Sequence, residues 1–337
     1  MAKNNVESDL KTTFGTLEKK YGKGIVMRLG DRQKVDLPTI STGSILLNQA
    51  LGIKGYPRGR IVEVYGPASS GKTTLALHAI ASMQRENGRA LFIDTEHAFD
   101  KAYAKALGVD VDALLFCQPT YGEQACDVAE TCVRDGVADI IVLDSVSALL
   151  PEAELKGDIG HQNVGGQARL MSQVMRKLTP AIHKANAVCL FINQLRHKIG
   201  VMYGSPETTS GGNALKFYAS IRLDIRKKSI IKNQQNEPIG HKARIKVVKN
   251  KLAAPFKEAI IDIYYGKGVS HVGEIVDIAL SFHLLTKSGA WYFHGRNQLG
   301  QGRTAAMQRL REDDMLRQSL LKQIQNKIYP PPSMASS

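Results

Sequence analysis

Disulfides, zinc clusters and membrane spans find little to work with in this chain. Its 337 residues hold four cysteines, Cys117, Cys126, Cys132 and Cys189, each standing singly within or beside an apolar segment. There is no C-x-x-C pair and no histidine cluster at zinc-ligand spacing. That excludes a disulfide scaffold or a zinc module and leaves buried thiols of a reducing compartment. No run approaches the roughly 18 apolar residues of a membrane-spanning helix. Met1-Ala2-Lys3-Asn4-Asn5 leads into a charged segment without an apolar signal core, so the expectation is a soluble, cytoplasmic protein with no membrane partner. Self-similarity at a period of about 20 to 50 residues is absent, which excludes solenoids and propellers. Acids are the last shortage: 31 against 45 Lys and Arg, a net charge of +14. An excess of that sign points to a polyanionic partner.

Apolar residues make up 43% of the chain, enough for a full core at a length that allows one large domain and one or two small ones. Leu10, Phe14, Leu17 and Tyr21 recur at helical spacing, so residues 5 to 21 read as an amphipathic helix whose stripe packs on its own domain or on a neighbouring subunit. From Ile61 to Ile263, apolar strand-like runs alternate with helical stretches; strands are expected at 61–65, 90–94, 113–117, 139–143, 187–192, 220–225, 244–249 and 258–263. The early runs are continuous, as in strands covered by helices on both faces, while Ile245 and Val247 alternate with Arg244 and Lys246, as in antiparallel edge strands with one wet face. The fold class is therefore α/β, a mostly parallel sheet with an antiparallel extension. After about residue 270 the pattern changes to a small α+β module, with a helical run from Thr304 to Lys327.

Gly66-Pro67-Ala68-Ser69-Ser70-Gly71-Lys72-Thr73 fits the phosphate-loop pattern G-x-x-x-x-G-K-[ST] between an apolar strand and the helix beginning near Thr74. Its glycines let backbone N–H groups turn toward a polyphosphate, Lys72 reaches the β- and γ-phosphates, and the Thr73 hydroxyl suits Mg²⁺. Asp144, closing the run Ile140 to Leu143, is placed to support that metal, the alternative being a helix cap. A group that orients water is also needed. Glu96 is favoured, just beyond the strand that ends at Asp94, with Asp94 and His97 as competitors.

Residues 195–212 are too long and glycine-rich for an ordinary connection, and they mix Arg196 and Lys198 with Ile199, Met202 and Tyr203. Basic groups for phosphates beside apolar wedges for bases suit nucleic acid, the alternative being a mobile surface loop. A second glycine-rich loop, 154–166, precedes a helix presenting Arg169, Ser172 and Arg176 along one face. From Arg226 to Lys251 nine Lys or Arg face one acid, Glu237, a net of +8, where a solvated edge is the default reading.

Taken together, Gly66 to Thr74, Phe92 to Ala98, Asp144 to Val146, Phe191 to Gln194, Ile199 to Met202, Gly211 to Ala219 and Lys249 to Lys251 resemble the bacterial RecA recombinase family over nearly the whole chain, to about Lys327. The resemblance implies a P-loop RecA-type core at 34–270 with helices on both faces of its sheet. It also implies an N-terminal docking helix and linker at 1–33, a small duplex-contacting domain at 271–328 and a disordered tail at 329–337. It implies that Glu96 activates water, Asp144 supports the metal, and Gln194 senses the γ-phosphate. Asp100, Tyr103 and Tyr265 join Gly66 to Thr74 around ATP. Lys249 and Lys251 reach a neighbour's ATP, and Phe217 lies in the subunit interface. The primary DNA site takes Arg169, Ser172, Arg176, Arg196, Lys198, Ile199, Met202, Tyr203, Gly211, Gly212 and Asn213; a secondary site takes Arg226, Lys227, Arg244 and Lys246.

The activity implied is a DNA-dependent ATPase that forms filaments on single-stranded DNA, pairs it with duplex DNA and promotes self-cleavage of a LexA-type repressor. The chain departs from the family pattern at Ala68, where glutamate is usual, at Tyr203, where phenylalanine is usual, and at His161-Gln162-Asn163 and Gly166-Gln167. No acid follows Asp314, so the family's acidic tail and its restraint on duplex binding are not expected. A ring-forming helicase or mediator, a small-molecule P-loop kinase and a non-enzymatic DNA coat are the rival readings.

Overall fold

The computed structural model describes residues 2–22, 25–26, 37–157, 165–197 and 206–330. Residues 1–37 and 38–337 form two compact units. In the first, Ala2–Tyr21 is helix α1, three residues longer at its start than the spacing predicts. Leu10 and Tyr21 of the expected stripe are exposed, and Phe14 and Leu17 are half-buried.

The second unit opens with β1 (Thr39–Ile40), α2 (Ile45–Leu51) and β2 (Tyr56–Pro57), the two strands pairing antiparallel. Ser44 caps α2 by accepting from Leu47 N–H, which satisfies a donor the helix cannot pair itself. Strand and helix then alternate: β3 (Arg60–Gly66), α3 (Lys72–Arg85), β4 (Ala90–Asp94), α4 (Lys101–Ala106), β5 (Leu115–Cys117), α5 (Gly122–Arg134) and β6 (Ile140–Asp144). A 3-10 turn at Val146–Ala148, α6 (Glu152–Leu155) and α7 (Gly166–Ala185) lead to β7 (Val188–His197), β8 (Glu207–Thr209) and α8 (Ala214–Tyr218). Four strands follow, β9 (Ile221–Lys232), β10 (Pro238–Asn250), β11 (Glu258–Tyr264) and β12 (Gly268–Val269). The chain continues through α9 (His271–Ser281), β13 (Thr286–Ser288), β14 (Trp291–His294), β15 (Asn297–Gln301), α10 (Gly302–Glu312) and α11 (Asp314–Ile328).

The central sheet runs β12-β11-β10-β9-β3-β7-β6-β4-β5, with β8 paired to β7. From β5 to β9 neighbours are parallel; from β9 to β12 they are antiparallel. Alternate residues feed two cores. Val62, Phe92, Val142 and Leu190 pack on the side of α3, and Ile61, Ile93, Ile141 and Phe191 pack with α5 and α7. Each such side chain, fully buried, contributes about 1.5–3 kcal/mol. A third core joins α9, α10 and α11 through Val276, Leu310 and Ile324. Among the described residues no helix is long and apolar enough to cross a membrane.

The mostly parallel α/β sheet with its antiparallel extension is as the sequence pattern indicates, and three details differ. β10 is an interior strand between β9 and β11, because its alternation reports solvent on one face of the sheet and says nothing of a missing neighbour. β5 begins at Leu115 and forms the edge, leaving Leu115 and Phe116 exposed instead of covered on both faces. The run from Thr304 to Lys327 is two helices, broken where the Asp313 side chain accepts from Leu316 N–H and starts α11.

Candidate nucleotide and DNA site

Gly66 ends β3 where a side chain has no room: a Cβ there would lie 2.1 Å from the Ile225 carbonyl oxygen. The chain turns through Ser69 at φ 54° and reaches Gly71 at φ 102°, a conformation that costs glycine little, before α3 begins. The N-terminus of α3 thus faces the loop with no side-chain cap, leaving its N–H groups to an anion. Lys72 arches back over the loop, donating to the carbonyls of Pro67 at 2.7 Å and Gly66 at 3.2 Å. Burial lowers its pKa, with Asp144 and Glu96 opposing that shift.

Asp144 closes β6 beside β4 and accepts from the Thr73 hydroxyl at 2.6 Å. Burial, more than any neighbour, pushes its carboxyl up to about 6; Thr73 and Lys72 act against the shift while Glu96 and Asp94 reinforce it. A hydroxyl and a carboxylate side by side are the hard oxygen donors that suit Mg²⁺. No group of three or more His, Cys, Asp or Glu that could hold a metal occurs among the described residues. Two oxygen donors fit an ion that takes its other ligands from elsewhere, as from a polyphosphate.

The structure gives Asp94, Glu96 and His97 different surroundings. Asp94 is buried and its oxygens accept from the N–H groups of Glu96, Ala98 and Phe99 and from Gln118 Nε2, so it shapes the turn. Glu96 is exposed, and its Oε1 accepts from Ser145 Oγ and, at 2.8 Å, from Gln194 Nε2. His97, also exposed, sits at φ 55°. Gln194 lies opposite Gly66 in the β3–β7 register, which is what brings it to the loop.

A cavity of about 280 Å³ beside the loop is lined by Ser69 to Thr74, Tyr103, His241 and Ile263 to Gly266. Tyr103 Oη and Thr74 Oγ1 are 2.8 Å apart, and Asp100 caps α4 by accepting from Tyr103 N–H. Tyr265 is half exposed, its ring 6.0 Å from that of His241. His241 itself was not singled out by sequence reasoning; burial lowers its pKa, and its Nε2 meets the Ser70 carbonyl at 3.3 Å. A lone histidine in an alternating strand gives no signal of that placement.

Lys249 and Lys251 do not line this cavity. Lys249 Nζ donates to the carbonyls of Lys216 and Phe217 at 2.7 and 2.9 Å, and Lys251 Nζ to that of Phe217 at 3.1 Å. Both thus gather at the end of α8, from which the Phe217 ring projects, 71% exposed.

On α7, Arg169 and Arg176 are exposed, and Ser172 Oγ donates to the Ala168 carbonyl. The 195–212 stretch begins and ends as ribbon: Leu195, Arg196 and His197 pair with Thr209, Thr208 and Glu207. Arg196 Nε reaches Ser210 Oγ at 3.3 Å. Gly211 and Gly212 follow at φ 81° and 73°, packed against Met171 and Ala168, and exposed Asn213 begins α8. Lys198, Ile199, Met202 and Tyr203 lie outside the described residues, as do His161, Gln162 and Asn163.

The basic run is less free than its count. Arg226 is held by both oxygens of Glu207 and by Asp224, and Arg244 is held by both oxygens of Glu258. Three of these carboxylates lie outside the 226–251 window in sequence, but β-pairing and β8 bring them alongside. Lys227 is exposed and Lys246 half-buried on the solvent face of β10.

A glycine-rich loop, its lysine and a carboxylate at the C-terminal edge of a parallel sheet define a P-loop nucleotide-binding protein. A model described as the RecA N-terminal domain matches residues 8–270, and one described as the RecA C-terminal domain matches residues 273–329. Among curated relatives, Protein RecA of Chlorobaculum tepidum is 57% identical over 96% of this chain and 94% of that one. Protein RecA of Chlorobium limicola is 58% identical over 94% and 90%, and that of Oceanobacillus iheyensis 56% over 88% and 86%. The chain belongs to the RecA family. Membership supports a role in recombination and DNA repair, with DNA and nucleotide binding.

Proposed function

We propose that this chain is a DNA-dependent ATPase that polymerises with ATP on single-stranded DNA as a helical filament and catalyses homologous pairing and strand exchange with duplex DNA. The observation that carries the reading is the 2.8 Å hydrogen bond from Gln194 to Glu96. It ties the carboxylate beside the phosphate loop to the strand that runs directly into the 195–212 loop, so a change at either is felt at the other.

In this reading Gly66 to Thr74 cradle the phosphates, Asp100, Tyr103 and Tyr265 surround the base, and Glu96 holds the attacking water and takes its proton. Thr73 and Asp144 would hold Mg²⁺, which would supply positive charge to the phosphates. Lys249 and Lys251 come from the next subunit, docked through Phe217, and act on the γ-phosphate as arginine fingers do. Gln194, released from Glu96 by the γ-phosphate, passes that state to the DNA loop. Arg169, Ser172, Arg176, Arg196, Gly211, Gly212 and Asn213 bind the first strand. Lys227 and Lys246, with Arg226 and Arg244 once their carboxylates yield, bind the second. Residues 34–270 form the ATPase core, 1–33 the docking segment and 271–328 a duplex-contacting module. A cytoplasmic setting and a LexA-type repressor as further partner belong to the same reading.

The test is ATP turnover with and without single-stranded DNA, with electron microscopy of the same samples. DNA-stimulated turnover and ATP-dependent filaments are expected; turnover indifferent to DNA, with no filaments, would sink the reading.

A further inference from the structure

Glu63 sits in the middle of β3 with no solvent exposure, and nothing in the chemistry above uses it. Its Oε2 accepts from Arg222 Nε at 2.5 Å, and its Oε1 from Asn193 Nδ2 at 3.0 Å. Arg222 is 16% exposed and lies over the Tyr65 ring at 4.8 Å. A buried ion pair is weak evidence of stabilisation, since apolar residues of similar volume commonly serve a core as well. This one therefore invites a role in placement.

Its neighbours at both ends supply that role. On one side, Asn193 Nδ2 also donates to the Ser210 carbonyl at 3.0 Å, while its Oδ1 accepts from Gln194 N–H at 2.9 Å. Asn193 thus fastens both ends of the DNA loop to the buried carboxylate. On the other side, Arg222 is the register partner of Glu63 on β3 and of Lys249 on β10. Hydrogen bonds run from Asn193 on β7 through Glu63 to Arg222 on β9, and Lys249 on β10 stands beside Arg222 in register, its ammonium held by the α8 carbonyls. Charge continues the geometry: burial, Lys251 and Arg222 push Lys249 down to about 8, and Glu63 opposes them.

We propose that Glu63 and Arg222 are positioning residues that make the placement of Lys249 depend on Asn193 and Gln194 of the same chain. The relay rests on the reading that Lys249 completes a neighbour's ATP site. Through it, a subunit whose own loop grips DNA presents its lysine, and the neighbour's turnover registers that grip.

The direction of the relay supplies the test, because a lesion in one chain must be read in the next. Full-length wild-type chain is mixed on single-stranded DNA with an excess of chain carrying Lys72→Arg, so that nearly every wild-type chain has such a neighbour. The same mixture is made with chain carrying Lys72→Arg and Glu63→Gln, and with Lys72→Arg and Arg222→Lys. Turnover per wild-type chain is corrected for each variant alone, and co-assembly is verified by sedimentation. A fall of about fivefold or more in kcat is expected with either relay variant relative to Lys72→Arg alone, with KM for ATP unchanged. Equal kcat in co-assembled mixtures would overturn the relay. Failure of both relay variants to assemble would also overturn it, by assigning the pair to scaffolding. Unmodified chain that shows no DNA-stimulated turnover would overturn the proposed function itself, a result separate from either.

Discussion

Glu96 and Asp94 stand two residues apart with the same functional group, and only their partners tell them apart. Asp94 accepts from three backbone N–H groups and one amide, whereas Glu96 is exposed with Gln194 and Ser145 on one oxygen. Backbone partners are invisible in a sequence, so there Glu96 is favoured while Asp94 and His97 still compete with it, whereas the loop glycines, Lys72 and Thr73 have no rivals. Glu96→Gln keeps the shape and removes the base. Turnover on DNA should fall about 100-fold or more with nucleotide affinity retained, as single-turnover kinetics and equilibrium nucleotide binding would show. Unchanged turnover would move the base elsewhere. The charge run teaches a related lesson. Counting from Arg226 to Lys251 captures nine cations but not Glu207, Asp224 and Glu258, which lie outside the window and hold Arg226 and Arg244.

Among the elements, the strands were legible as apolar runs because helices cover both faces of β3, β4 and β6. Adjacency was not. Lys246 and Ile245 alternate on β10 whether or not a strand lies beyond it, so an interior strand read as an edge. No Gly or Pro marks the α10–α11 break in the sequence, since Asp313 makes it by capping. On the wet face of β10, Arg244 is clamped by Glu258, while Lys246 carries no ion pair among the described residues. Lys246→Ala should therefore weaken second-strand binding more than Arg244→Ala, lowering the salt slope of that binding by about 1 while ATP turnover persists. Equal loss of both activities would contradict the secondary-site role. Between α9 and α2, Glu274 is buried and accepts from Ser44 Oγ and Ile45 N–H. Burial raises its carboxyl from 4.5 to about 7. The folded chain then binds more protons than the unfolded one between those values, so this group's contribution falls as pH rises through the window, by on the order of 3 kcal/mol. Glu274→Gln should flatten that part of the pH profile in chemical denaturation; an unaltered slope would show that other groups set it.

At the scale of the molecule, the sheet keeps Lys72, Thr73, Glu96, Asp144 and Gln194 at one edge and parks Lys249 and Lys251 at the end of α8, away from that cavity. The phosphate loop is legible from eight residues, whereas nothing local in a sequence says whether a site takes residues from another copy of the chain. In the proposed function the loop is half a site, completed when a neighbour docks. Two defective chains should then repair one another. Lys72→Arg leaves a chain without turnover of its own but with its lysines intact; the double variant Lys249→Ala, Lys251→Ala leaves an intact cradle with no lysines to lend. Each alone is expected to lack DNA-stimulated ATP turnover, and an equimolar mixture on single-stranded DNA is expected to regain it. A mixture no more active than the sum of its parts would contradict the shared site.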